Sequence, residues 1–116
     1  MTDRDPDCLF CRIVAGAIPS DRVHEDEEVI VFRDINPTAP THVLAIPRRH
    51  IPSVDDLTDG DAGLLAALFL ALRQVASDAG LSDYRIVTNV GAGAGQSVFH
   101  LHLHLLGGRP FSWPPG

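Results

Sequence analysis

Residues 100 to 104 read His100-Leu101-His102-Leu103-His104, inside the apolar run Val98 to Leu106. Strict alternation among β-branched and aromatic neighbours predicts a strand, whose successive side chains leave on opposite faces. All three imidazoles then share one face, while Leu101, Leu103 and Leu105 share the other. Half of the six histidines in the chain fall within these five residues. A buried strand gathers such groups only if each ring finds a hydrogen-bond partner, because burying an unpaired polar group costs free energy. Three readings fit this face. It is the polar side of a half-exposed antiparallel strand, or a set of imidazole ligands for a borderline metal, or a nucleophilic centre. In the last case one neutral imidazole attacks while its neighbours orient it and move protons.

The flanking residues favour the nucleophilic reading. Gly91-Ala92-Gly93-Ala94-Gly95-Gln96-Ser97 delivers the chain directly into the histidine strand. Glycines let backbone N–H groups approach an anion, and Ser97 adds a hydroxyl, so a phosphate beside His102 would find donors on both sides. The plain alternative is a flexible hairpin connection. Adjacency to three imidazoles makes phosphate chemistry the better expectation.

With 116 residues the chain is expected to form one domain, 1–116, with a real core but a small one that oligomerisation would help. A formal net charge of −6 and the lack of a basic stripe argue against nucleic acid as partner. The stretch Met1 to Asp7 is acidic and polar, unlike a signal peptide, and the longest apolar run, Ala62 to Leu72, is too short to span a membrane. A cytoplasmic protein is expected. In a reducing compartment the pair Cys8-x-x-Cys11 reads as a metal or redox pair rather than a structural disulfide.

The pattern predicts a short helix over Leu9 to Ala15 and strands at Val23 to His24, Val29 to Phe32, His42 to Ile46, Arg85 to Val90 and Val98 to Leu106. Thr58, with Asp61 three residues on, is expected to open the one long helix, which Gly80 ends. The fold class is therefore α+β, a mostly antiparallel five-stranded sheet with one long and one short helix segregated to one face. From Gly63 to Leu72 the long helix is apolar nearly all round, which predicts a second subunit against it, with Leu68 in the middle of that contact.

The form His-φ-His-φ-His-φ-φ at residues 100–106, φ being apolar, resembles the motif of the histidine triad family. Cys8-Leu9-Phe10-Cys11, Phe32 to Pro37, Ala39 to His42, Gly95-Gln96-Ser97 and the terminal Trp113-Pro114-Pro115-Gly116 are similar to its Hint branch, so the resemblance covers essentially the whole chain. It implies a HIT-like fold with two sheets joined across a homodimer, and hydrolysis of purine nucleoside 5′-phosphoramidates at the P–N bond through a nucleotidyl-histidine. By the same resemblance His102 is the nucleophile. His104 serves the phosphate oxygens or the leaving group, Ser97 lies near the departing nitrogen, and His42 is a supporting fourth histidine. Asn89 and the Gly95, Gln96, Ser97 backbone would contact phosphate, and Asp34 would accept the ribose hydroxyls. Phe10, Ile13, Ile18, Phe32, Ile35 and Leu44 would form the purine slot, although each alone is explained as core. Trp113 is expected to reach the partner's site or pack the dimer.

Bacterial members of the family also imply a structural zinc held by Cys8, Cys11, His50 and His100. The residues alone leave open that the cysteines are ordinary buried thiols. Arg33 and Arg109-Pro110-Phe111-Ser112 depart from the animal Hint pattern, next to the ribose residue and the leaving-group side respectively. Alternative activities are a dinucleoside polyphosphate hydrolase or nucleotidyl transferase of the same superfamily, and a noncatalytic nucleotide-sensing scaffold.

Overall fold

A computed structural model describes residues 4–116; the first three residues of the acidic N-terminal stretch lie outside the described residues. Its elements follow as α1 (Leu9–Val14), β1 (Arg22–Glu25), β2 (Val29–Arg33), β3 (Thr41–Pro47), α2 (Ala62–Asp78), β4 (Tyr84–Val87) and β5 (Leu103–Gly107). The strands form one antiparallel sheet in the order β1-β2-β3-β5-β4. This is the α+β, five-stranded architecture expected of a HIT-like fold.

Alternation places two different cores on the two faces. On one side Val29, Val31, Val43, Ala45, Leu101, Leu103 and Leu105 pack against Leu68, Ala71, Leu72 and Val75 of α2. On the other, Ile30, Phe32, Leu44 and Ile46 pack against Phe10, Ile13 and Val14 of α1. The register pairs Phe32 with Leu44 and Leu44 with His104, so the α1 face of the sheet is continuous across three strands. The helices therefore cover opposite faces, which corrects the expectation that both lie on one. The physical reason is that β2 and β3 are buried on both sides, Val29, Ile30 and Val31 being fully inaccessible, so each face needs its own cover.

A helix of six residues is marginal on its own, and α1 is held by its buried residues and by Cys8, whose sulfur accepts the Cys11 N–H at the helix start. The long helix opens as expected: Thr58 and Asp61 form a reciprocal capping box on a short 3-10 turn that runs into α2. Helix and preceding turn together, Asp59–Asp78, have the length and mean hydropathy, 1.2, of a minimal membrane span, more than the run Ala62 to Leu72 suggested. One side of it is nonetheless committed to the sheet core. Leu68 belongs to that core and is fully buried within the protomer, not placed on an outward face; the outward stripe is Ala66, Phe69, Leu70 and Arg73.

The last two strands are shorter than expected. β4 ends at Val87 rather than Val90, and β5 begins at Leu103 rather than Val98. Residues 98–100 bend instead of running as a strand, the side chains of 100–104 still alternate between the two faces, and the hydrogen bonds of this segment are individual ones, such as Leu101 N–H to the Ile51 carbonyl at 2.6 Å.

Candidate functional site

Each imidazole of the triplet is fixed by a different backbone group. His102 donates from Nδ1 to the His100 carbonyl at 2.7 Å, which leaves Nε2 with a free lone pair. His100 donates from Nε2 to the Pro47 carbonyl at 2.8 Å, so its lone pair is on Nδ1. For His104 the order is set two steps away. The Thr38 N–H donates to Nδ1 of His42 at 3.1 Å, so the proton of neutral His42 is on Nε2, which lies 2.9 Å from Nδ1 of His104. His104 accepts there and carries its own proton on Nε2. All three rings lie on the α1 side, the face opposite Leu101, Leu103 and Leu105, as the alternation predicts.

The electrostatics disfavour protonation of His104 and His42. Burial first, then the neighbouring His102 and His42, pushes His104 down to about 4 against the opposing pull of Asp34. Burial also lowers His42, again opposed by Asp34, whose Oδ2 is 3.4 Å from His42 Nε2. Asp34 is anchored by its other oxygen, which accepts the Asn36 N–H at 2.8 Å. Phe10 meets His102 edge-on with centroids 5.1 Å apart, closing the apolar flank of that ring.

His102 and His104 open into a cleft of about 750 Å³, lined by Phe10, Ile13, Ile18, Phe32, Asp34, Leu44 and Ser97 together with His42. That volume suits a small organic ligand, with apolar walls and, among them, a carboxylate, a hydroxyl and three imidazoles. Ile35 is at its rim, 92% exposed. Asn89, Gly95 and Gln96 do not line the cleft. Gln96 is instead buried and braces the loop, accepting the Gly91 N–H and donating to the Pro52 and Val98 carbonyls. Gly95 has a φ of +99°, a conformation that side chains disfavour, and it lies against Asn89. Trp113 is 82% exposed, away from this chain's cleft. Pro19, Ser20, Asp21 and Asn36 line the cleft without having been expected there; the connection from α1 to β1 and the loop after β2 bring them in, which no local pattern announces.

Behind the triplet, Cys8, Cys11, His50 and His100 converge with their ligand atoms within 4.8 Å of one another. Nδ1 of His100 lies 3.5 Å from each sulfur and 3.3 Å from Nδ1 of His50, which is 3.2 Å from the Cys11 sulfur. Tetrahedral coordination by zinc-length bonds separates two nitrogens by roughly 3.4 Å and a sulfur from a nitrogen by roughly 3.6 Å. The donors thus fit a four-coordinate cation, and His100 offers the correct lone pair. Backbone N–H groups of Asp5 and Cys11 point to the two sulfurs at 3.3 and 3.4 Å, an arrangement that suits thiolates. Left without a cation, the Cys11 thiol is raised by burial. Asp34, His42 and His104 also cluster, but their geometry is that of hydrogen bonds: a cation at His42 Nε2 would have to displace the proton that Thr38 places there.

Residues 7–111 match the family model described as scavenger mRNA decapping enzyme C-term binding. A HIT-like protein of Synechocystis is 50% identical over 111 residues, which make up 95% of this chain and 97% of that one. The solved structure of a HIT family hydrolase from Legionella pneumophila gives a TM-score of 0.92 at 51% identity, covering 95% of this chain and 100% of the other. A histidine triad protein from Clostridium difficile gives 0.90 at 36% identity, with 94% and 96% covered. With three alternating imidazoles turned to the α1 side and this similarity along nearly its whole length, the chain belongs to the histidine triad family and is like that family's hydrolases.

Proposed function

We propose that the protein hydrolyses purine nucleoside 5′-phosphoramidates, in the manner of the Hint branch. The observation that carries this is the tautomer of His102: its Nδ1 proton is tied to a carbonyl and its Nε2 is free beside the cleft. Nε2 attacks the α-phosphorus, the P–N bond breaks, and the amine leaves with a proton. Water then cleaves the nucleotidyl-histidine, so one difficult displacement becomes two easier ones. His104, neutral and donating from Nε2, stabilises the phosphoryl oxygens, and Ser97 stands at the leaving-group side. Asp34 accepts the ribose hydroxyls, and Phe10, Ile18, Phe32 and Leu44 hold the flat base with few polar contacts. Asn89, Gly95 and Gln96 act by shaping the phosphate loop.

The cation that Cys8, Cys11, His50 and His100 would hold is zinc, with a structural part to play: four protein donors leave no open position for substrate. A homodimer through the outward face of α2 completes the assembly, with Trp113 reaching the partner's cleft, and the protein works in the cytoplasm without nucleic acid or membrane.

The test is pre-steady-state turnover of adenosine 5′-phosphoramidate beside diadenosine polyphosphate, with intact mass measured after acid quench. A burst, an adduct of one nucleoside monophosphate per chain and preference for the phosphoramidate are expected. Preference for the polyphosphate would assign the other hydrolase subclass, and binding without turnover would make the protein a nucleotide sensor.

A further inference from the structure

Arg109 does not line the cleft, yet it is tied to the histidines by hydrogen bonds. After β5 the chain turns at Gly108, whose φ is +92° and whose Cα approaches the Pro40 ring so closely that an added Cβ would lie 2.9 Å from it. This brings Arg109 against the loop that joins β2 to β3. Its Nε and Nη2 both donate to the Thr38 carbonyl, at 3.2 and 3.1 Å, and Nη1 donates to the Pro110 carbonyl. The guanidinium also lies over the Phe111 ring, 4.3 Å from its centroid, and Arg85 lies over the same ring at 5.2 Å while holding the Ser112 carbonyl at 2.8 Å. The strap formed by residues 108–112 is thus latched by two cations around one ring.

Thr38 stands between that latch and the active centre. Its carbonyl is held from outside by Arg109, and its N–H is spent on His42. Thr38 is exposed, so water competes for both groups unless something fixes the residue. His42 in turn is the only ring bonded to Nδ1 of His104 at 2.9 Å among the described residues. If the Thr38 N–H moved away, His42 would gain the freedom to carry its proton on Nδ1, and His104 would lose the donor that keeps its own proton on Nε2.

We propose that Arg109 is a positioning residue for His104, acting through Thr38 and His42 to fix His104 as a neutral hydrogen-bond donor toward the cleft. Its effect on rate rests on the hydrolase reading; its effect on the tautomer rests on the hydrogen bonds alone. A planar fork that grips one carbonyl with two N–H groups while stacking on an aromatic ring is a task for arginine that lysine meets only in part.

The experiment compares wild type, Arg109→Gln, Arg109→Lys and Arg85→Gln in the full chain. It reads ring-nitrogen chemical shifts of His42 and His104 by NMR, kcat and KM for adenosine 5′-phosphoramidate, and melting temperature. In Arg109→Gln the His104 nitrogens should shift toward a mixture of tautomers, and kcat should fall about tenfold with KM within about twofold, as for other supports of a reacting group. Melting should stay where it was. Arg109→Lys should recover part of both effects, and it decides the matter on the same readouts if the glutamine variant does not fold. Arg85→Gln loosens the strap without touching Thr38 and should leave shifts and kcat unchanged. Unaltered His104 shifts or unaltered kcat in Arg109→Gln, or an equal loss in Arg85→Gln, overturns the proposal. If wild type shows no turnover, the hydrolase reading fails, and the ring shifts alone decide the part assigned to Arg109.

Discussion

An imidazole attacks phosphorus only from a nitrogen that is unprotonated and free, and here three rings in one short segment have been sorted by what their other nitrogen meets. His102 has the free Nε2 beside the cleft, His104 has a donor, and His100 has its lone pair turned to the cysteines. On the proposed mechanism, replacing His102 by Ala should remove the covalent step and cost several orders of magnitude in kcat, while nucleotide affinity, which that proposal assigns to the walls and Asp34, changes little. Retention of more than about a tenth of the wild-type rate, a loss below roughly 1.4 kcal/mol, would assign the attack to another group. The neutral state of the supporting rings also has a pH signature. His104 and His42 are both lowered in the folded protein from their ordinary 6.5, so the unfolded chain binds more protons as pH falls. The stability they contribute is full above about 6.5 and is lost as pH falls through the folded value of His104, about 4. Denaturant melts from pH 7.5 to 4.5 should show this loss in wild type and a shallower one in His104→Asn. Parallel curves for the two proteins would mean that His104 is not held neutral by the fold.

Among the elements, α1 has the least independent stability and the most to do. Six residues form its helix, and they supply Phe10 to the flank of His102, Ile13 to the cleft and Cys11 to the cysteine–histidine cluster. A cation shared by Cys8, Cys11, His50 and His100 would staple this helix to the segment after β3 and the segment before β5, and its binding energy would count as folding energy. Protein prepared without added zinc should carry about one equivalent per chain, and Cys8→Ser should lower both the metal content and the melting temperature, by several degrees. Part of the activity should survive, because His102 holds its tautomer through a carbonyl rather than through the metal. A chelator that abolishes formation of the nucleotidyl adduct while circular dichroism and melting stay unchanged would instead give the metal a direct part in catalysis.

At the scale of the whole molecule, the uncovered surface lies on the outward side of α2. Leu70 is 53% and Phe69 45% exposed beside Ala66, on a helix whose inner side is already buried in the sheet. A stripe of this kind on so small a protein is a natural twofold contact. Sedimentation of wild type at micromolar concentration should give twice the 12.5 kDa chain mass. Leu70→Glu should give the monomer with its fold intact. Leu68 is not a usable probe, since a carboxylate there would destroy the protomer's own core. A monomeric wild type would leave Trp113 without a partner's cleft to reach.

Much of this molecule is legible in its residues because periodicity is a local property. Alternation at 98–106 divides histidines from leucines whether or not the strand is formally paired, and the capping pair Thr58 and Asp61 marks the start of α2 by itself. Which helix covers which face was not legible, because an apolar strand reads the same whether one face or both are buried. Nor could spacing place His50 beside Cys11, 39 residues earlier, or Arg109 beside Thr38, 71 residues earlier. The division of labour among the three imidazoles belongs wholly to tertiary structure. Sequence supplies identical rings; the carbonyls of Pro47 and His100 and the N–H of Thr38 decide which nitrogen of each ring keeps its proton, and those backbone groups reach the rings only once the chain has folded.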